Sequence, residues 1–308
     1  MTSPVERSTH TQPVSFKDQV TAQAHRLFRG YVRSFPLSKG KARLVSWLWK
    51  PLSGGNYLRE THLRQGNVHM RCDLSKLLQR QLYFFGAYEE KDCACWVRMA
   101  KQARTIFDIG ANVGLYSLLA AAANTRATIH AFEPTSEVFD RFVENLRLNH
   151  FANVVPNPLA VGNATGKSLL HFCAGSDSAN EGMNYVSPES VSGSDLEIEV
   201  VSLDDYCRQN GIACIDLLKL DIEGSEYEAL LGAENLLSKQ AIGCIFLELT
   251  EWAAERKGHS IRDLKQLLAG AGYQIYQLQE NSQFKPVKLD ASHNGDNVLA
   301  FASRPSSL

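Results

Sequence analysis

One short stretch of the sequence predicts a β-α-β unit. Residues 105–109 are mostly apolar and suit a short buried strand, and residues 110–114 form a glycine-containing turn. An alanine-rich helix over residues 115–123 and a second apolar strand over residues 128–132 follow, and the strand leads directly into Glu133. In an open α/β sheet, the turn and Glu133 therefore share the edge at which nucleoside-bearing cofactors bind.

The chemistry of this turn separates two classes of cofactor. Gly110 and Gly114 permit positive φ and a close backbone approach, and Glu133 lies at about the spacing at which an acid reaches a ribose diol. However, Asp108 opens the turn and would repel a pyrophosphate on the following helix, whereas it suits a cationic amine. S-adenosylmethionine (SAM) has a ribose diol and an ammonium group but no phosphate, so we predict SAM. An NAD-dependent dehydrogenase and a purely structural turn are the weaker alternatives.

Composition narrows the class of protein and its partners. The 308 residues are 44% hydrophobic and 21% charged, which allows a sizeable core. The net charge of −1 predicts neither a nucleic-acid nor a membrane partner. Seven cysteines without a second close pair do not suggest a zinc tetrad. Residues 1–24 have no apolar signal-peptide core, and we expect a cytoplasmic protein.

The chain divides into three predicted parts. Residues 1–15 are expected to be disordered, residues 16–60 to form a helical extension, and residues 61–308 to form the α/β domain. Apolar residues at helical spacing in the extension suggest a contact in a homodimer or a cap over the active site. The polar stretch 174–194 is long enough to be a functional lid.

Two further acidic residues lie at the carboxyl ends of predicted strands, over residues 217–222 and 243–249, and should lie at the same sheet edge. Asp221 is our first candidate for a general base and Glu248 the second, and Asp221 could also bind the SAM amine. In the structural alternative, either residue pairs with Lys219. With Asp108 these carboxylates could bind Mg²⁺ or Mn²⁺, but no fixed ligand spacing supports this and we predict no metal.

Taken together, these motifs resemble the FkbM family of SAM-dependent methyltransferases. The resemblance covers about residues 64–303 and rests on residues 85–89, 108–117, 132–134, 145–149, 160–162, 201–205, 218–226 and 230–232. It implies a class I methyltransferase fold, with a mixed seven-stranded sheet flanked by helices. It also implies methyl transfer to a hydroxyl of a small acceptor such as a macrolide, a sugar or another natural product.

The resemblance also assigns residues to the cofactor. Asp108, Gly110, Asn112 and Gly114 would surround the methionine part, and Ala160 would meet the adenine. The full set of expected SAM-binding residues is Tyr88, Glu89, Asp108, Gly110, Asn112, Gly114, Ser117, Glu133, Pro134, Ala160 and Asp221. Methyl transfer to nitrogen or to a carboxylate of a small molecule or peptide remains an alternative. A non-catalytic SAM-binding regulatory subunit is the alternative outside enzymes.

Overall fold

The computed structural model describes residues 16–34, 41–53, 57–171, 185–187, 195–280, 283–291 and 294–302. The helices are α1 (Phe16–Ser34), α2 (Lys41–Ser53), α3 (Leu77–Phe85), α4 (Glu90–Ala100), α5 (Leu115–Ala123), α6 (Ser136–Asn149), α7 (Leu203–Gln209), α8 (Glu226–Leu231), α9 (Glu234–Ser238), α10 (Glu251–Arg256) and α11 (Ile261–Gly270). The strands are β1 (Leu58–His62), β2 (His69–Asp73), β3 (Thr105–Ile109), β4 (Thr128–Phe132), β5 (Val154–Asn157), β6 (Ala160–Val161), β7 (Gly166–His171), β8 (Tyr185–Ser187), β9 (Leu196–Val201), β10 (Ile215–Leu220), β11 (Ile242–Thr250), β12 (Gln274–Leu278), β13 (Phe284–Pro286) and β14 (Asn294–Phe301).

The central sheet has the order β13-β12-β14-β11-β10-β3-β4-β5. Strands β5, β4, β3, β10 and β11 are parallel, and β14 runs antiparallel to both β11 and β12. The predicted α/β fold with a mixed sheet is confirmed, although the sheet has eight strands where seven were expected. The additional strand is β13, a three-residue edge strand that is too short to show an alternating pattern.

The β-α-β core follows the sequence pattern closely. The bounds of β3, α5, β4 and α6 are those expected from the sequence. Each strand is a short apolar run between turn residues, and α5 is buried along most of its length. These elements place the turn after β3 and the residue after β4 at one sheet edge.

Two predicted elements are each divided in the structure. The run 154–161, expected as one strand, forms β5 of the central sheet and β6 of a four-stranded sheet with the order β6-β9-β7-β8. Pro158 has no N–H for a strand ladder, which explains why the chain changes sheets there. The helix expected over 224–237 breaks into α8 and α9 at Gly232, where a Cβ would come within 2.1 Å of the Gly162 carbonyl oxygen.

The N-terminal helices are present, and α1 has apolar residues on both its buried and its exposed side. Val32 of α1 is fully buried, whereas Leu27 is 70% exposed. Arg33 fastens α1 to the domain, since its guanidinium donates to the Tyr83 carbonyl oxygen (2.8 Å) and to the Thr61 hydroxyl oxygen (2.8 Å). No helix in the described ranges is both long and apolar enough to cross a membrane. The expected disorder at 1–15 and most of the expected lid at 174–194 fall outside these ranges.

Both glycines of the β3 turn are required by contacts within the chain. Gly110 has a φ of +79°, and a Cβ there would lie 1.9 Å from the Asp221 carbonyl oxygen. Gly114 has a φ of +93°, and a Cβ would lie 2.2 Å from the Phe142 ring. The predicted positive φ is confirmed, and the close approach at each glycine is made by another part of this chain.

We expect Gly110→Ala to destabilise the protein by more than about 3 kcal/mol, because a left-handed backbone and a backbone clash both oppose the methyl group. Gly211→Ala is the matched control. Gly211 has a φ of +67° and no atom within 4 Å of the added Cβ. Its replacement by alanine therefore measures only the cost of a left-handed backbone at a residue with a side chain, about 1 kcal/mol. Urea unfolding of both variants tests this, and equal losses would show that the contact with Asp221 is unimportant.

Candidate active site

A cavity of about 330 Å³ lies at the carboxyl ends of the parallel strands. Nine of the predicted site residues line it: Tyr88, Glu89, Gly110, Asn112, Glu133, Pro134, Ala160, Asp221 and Glu248. The fold thus brings together predicted residues from six separate parts of the chain. Asp108, Gly114 and Ser117, which were also predicted to bind the cofactor, are not among the residues that line the cavity.

Glu133 is held in a fixed position at the cavity wall. One carboxylate oxygen accepts a hydrogen bond from the Asn112 amide (3.1 Å) and the other accepts one from the Thr135 amide (2.9 Å). The residue is only 7% exposed. Asn112 has a φ of +51°, a conformation that asparagine tolerates better than most residues. The carboxylate is therefore pre-oriented, and it keeps lone pairs for a ligand with hydroxyl groups.

Asp108 lies outside the cavity lining, and its contact with a cofactor amine stays a prediction. Ile109 is the β3 residue that lines the cavity. Asp108 is fully buried, and its Oδ2 accepts a 2.6 Å hydrogen bond from the Ser117 hydroxyl. Burial raises the pKa of Asp108, while Lys219 and Ser117 act in the opposite direction. Its role in this structure is to anchor α5 to β3.

Gly114 and Ser117 have structural positions of the same kind. Gly114 precedes the first turn of α5 and packs against Phe142. Ser117 is fully buried and donates to Asp108. Both residues shape the loop from behind the cavity wall, and they support residues that face it.

Lys219 is a buried cation. From the sequence it was expected only as an ion-pair partner of Asp221 or Glu248. Its ammonium group lies 2.7 Å from Asp221 Oδ2 and 4.5 Å from the centre of the Tyr116 ring. Burial lowers the pKa of Lys219, but Asp221 and Asp108 outweigh this effect and the pKa is raised overall. Lys219 is therefore charged at neutral pH, and Asp221 has the ion pair expected in the structural alternative.

Tyr116, whose ring contacts Lys219, also forms a polar pair with Glu89. The Tyr116 hydroxyl donates to Glu89 Oε2 at 2.8 Å. Burial raises the pKa of Glu89, and the bond from Tyr116 partly offsets that effect. Burial and the neighbouring Glu89 also raise the pKa of Tyr88. Tyr116 was not predicted as a site residue, although it lies within the glycine-turn motif that carries the family resemblance.

Two further glutamates line the cavity, and both have raised pKa values. Burial, then the charge on Asp221, raises the pKa of Glu223 to about 9 and that of Glu248 to about 7. Glu223 has a φ of +56°, and its carbonyl oxygen accepts a 2.9 Å hydrogen bond from Arg256. At Gly224, a Cβ would come within 2.4 Å of the Ala253 carbonyl oxygen. Helix α10 therefore holds the turn that presents Glu223.

Glu226, the first residue of α8, has a structural role. It accepts a 2.8 Å hydrogen bond from the Ile222 amide and does not line the cavity. Burial raises its pKa to about 7. Among the described residues, no group of three His, Cys, Asp or Glu side chains is placed to hold a metal ion.

Comparison with known proteins identifies the family. The family model described as the methyltransferase FkbM domain matches residues 108–275, just over half of the chain. The chain belongs to the FkbM methyltransferase family. The matched region runs from Asp108 of β3 to Ile275 of β12 and contains Glu133, Asp221 and Glu248. The family resemblance drawn from the motifs is confirmed.

Relatives in this family act on different acceptors. The 31-O-demethyl-FK506 methyltransferase FkbM of Streptomyces tacrolimicus is 29% identical in an alignment of 169 residues, with 46% of this chain and 65% of the relative covered. The hexuronic acid methyltransferase AglP of Haloferax volcanii is 27% identical over 172 residues, 56% of this chain and 64% of the relative. The chain thus spans slightly less than two thirds of each.

A solved structure is also similar. It is the O-methyltransferase TomG of Streptomyces achromogenes in complex with SAM, at 13% identity and a TM-score of 0.41. The match covers 70% of this chain and 81% of TomG. The similarity is distant.

We expect the ligand-free protein to become less stable as the pH rises from about 5 to about 9. The pKa values of Glu223, Glu226 and Glu248 are about 9, 7 and 7 in the fold, above the value of about 4.3 in an unfolded chain. Between these limits the folded state binds more protons, so the free energy of unfolding falls with rising pH, by at most about 1.4 kcal/mol per unit for each group.

Glu223→Gln should remove part of this slope, and most clearly above pH 7. Asp263→Asn is the control, because hydrogen bonds from Ser260 lower the pKa of Asp263 and it titrates below this window. Urea unfolding at several pH values provides the measurement. An unchanged slope in Glu223→Gln would show that this carboxyl group is not protonated in the fold.

Proposed function

We propose that the chain is a SAM-dependent O-methyltransferase that methylates a hydroxyl of a small molecule, such as a macrolide, a sugar or another natural product. One observation carries the proposal. A single cavity has a pre-oriented carboxylate, Glu133, on one wall and the elevated-pKa carboxyls of Glu223 and Glu248 on another. SAM would supply an electrophilic methyl group, and the protein has to hold the acceptor in line and accept its proton.

The cavity residues fit SAM in three ways. Glu133 can accept hydrogen bonds from a ribose diol. Leu159, Ala160 and Phe132 provide apolar wall for an adenine. Glu89 and Asp221 offer carboxylates to an ammonium group, and the acidic surroundings suit a sulfonium cation.

For the general base we propose Glu248 ahead of Asp221, which reverses the order expected from the sequence. Asp221 is engaged by Lys219 at 2.7 Å. Among the described residues, no hydrogen bond or ion pair engages the Glu248 carboxylate. Its pKa of about 7 suits proton transfer at neutral pH. Glu223, protonated at that pH, can donate a hydrogen bond to the acceptor.

The charge of the cavity also bears on the rival functions. The carboxylates of Glu89, Asp221 and Glu248 would repel a carboxylate acceptor, which disfavours carboxyl methylation. An amine acceptor fits the acidic wall, so N-methylation is the second candidate. A panel of matched alcohols, amines and carboxylates separates the three.

Glu133→Ala should weaken SAM binding by about 10- to 100-fold, because it removes both diol acceptors and the support of two loop amides. Asp216→Ala is a matched control. Asp216 also accepts hydrogen bonds from two backbone amides, those of Arg104 and Thr105, and it does not line the cavity. Calorimetric titration with SAM should show the loss in Glu133→Ala alone. Equal losses in both variants would mean that Glu133 acts only through stability.

Glu248→Gln should lower kcat by about 10²- to 10⁴-fold. In the wild type, kcat should fall about tenfold per pH unit below pH 7, because the protonated carboxyl cannot accept the proton. The variant should lose this dependence. Glu226→Gln is the control, since Glu226 has the same pKa of about 7 outside the cavity and should leave the profile in place. A wild-type profile in Glu248→Gln would exclude Glu248 as the base.

A further inference from the structure

The charge of this chain is segregated along its length. Residues 16–53 contain eight Lys or Arg and one Asp, whereas the whole chain has a net charge of −1. The remainder is therefore acidic. The net charge, which entered the expectation of no membrane partner, averages two oppositely charged parts.

The same helices expose apolar side chains to solvent. Val20, Leu27 and Tyr31 of α1 are 52%, 70% and 47% exposed, and their spacing of seven and four residues places them on one helix face. Trp47 of α2 is 83% exposed. Arg43 lies four residues before Trp47 on the same face of α2. An exposed surface of this composition is typical of helices that lie on membranes.

We propose that α1 and α2 form a docking surface for an anionic lipid bilayer. Leu27 and Trp47 would enter the boundary between head groups and acyl chains, where tryptophan is favoured. The exposed Arg26 and Arg43 would meet the anionic head groups. The acidic remainder of the chain would be repelled by the same lipids, which fixes the orientation of the molecule.

Other occupants fit these observations less well. Nucleic acid would use the positive charge, but it offers little to Val20 and Leu27. Two copies meeting through this surface would bring together helices of the same charge. Bilayer lipids provide negative charge and hydrocarbon together.

The docking surface is connected to the cavity through α3. Arg33 of α1 donates to the carbonyl oxygens of Leu82, Tyr83 and Phe84 in the last turn of this helix. The first residues of α3, Leu77 and Leu78, line the cavity. A docked molecule would therefore hold one wall of its cavity close to the lipid surface, where an amphiphilic acceptor would be presented.

Vesicle flotation with the full chain tests the proposal. The protein should bind vesicles of phosphatidylcholine with about 30% phosphatidylserine, bind pure phosphatidylcholine far less, and be released at about 0.5 M salt. Leu27→Ser with Trp47→Ser, and separately Arg26→Glu with Arg43→Glu, should each weaken binding by at least about tenfold. The readout requires neither SAM nor methyl transfer.

Two exposed positions outside α1 and α2 provide the controls. Leu231 is 41% exposed, and Leu231→Ser removes its apolar side chain. Arg126→Glu reverses an exposed charge. Both should retain vesicle binding. The proposal is overturned if the wild type binds neither vesicle, or if the helix variants bind as tightly as the controls. A dimer that dissociates in Leu27→Ser with Trp47→Ser, without vesicle binding, or retention on heparin alone, would also overturn it.

Discussion

The buried ammonium of Lys219 is the interaction on which the acidic sheet edge depends. It lies opposite Asp108 in the strand register, 2.7 Å from Asp221 Oδ2 and over the Tyr116 ring. Carboxylates buried without such a cation would cost several kcal/mol each. One cation cannot neutralise all of them, so Glu223 and Glu248 respond through raised pKa values. The site is thus left with an excess of acidic groups, which suits a cationic cofactor and a neutral or cationic acceptor.

The two halves of the cavity are coupled by backbone contact. The turn after β3 and the turn after β10 approach so closely at Gly110 that a Cβ would overlap the Asp221 carbonyl oxygen. Three non-glycine residues that line the cavity, Glu89, Asn112 and Glu223, have positive φ angles. Such conformations persist only where the surrounding structure enforces them. Hydrogen bonds and close packing hold them here, so the carboxylates are positioned by the fold before any ligand arrives.

The sequence predicted what depends on local patterns. Short apolar strands, the glycine turn and the acidic residues at the carboxyl ends of β4, β10 and β11 led to the fold and to nine of the residues that line the cavity. The sequence did not reveal what depends on packing. Asp108 is buried against Ser117 and lies outside the cavity lining, and the exposed face of α1 could not be told from its buried face. The position of Glu223 depends on α10, a six-residue helix that the pattern did not reveal.

Charge segregation links the proposed chemistry to the proposed docking. An acidic cavity would be a poor site for an anionic head group, so the lipids that hold α1 and α2 would not compete with the acceptor. The basic residues of these helices lie outside the cavity lining. The pKa of Glu248 is raised by burial and by its acidic neighbours, Asp221 first. The arginines of the two helices have different positions. The Arg33 guanidinium donates to the backbone carbonyl oxygens of His62 and Tyr83, whereas Arg26 and Arg43 are exposed to solvent. Positive charge therefore fastens the extension to the domain and also remains available at its surface.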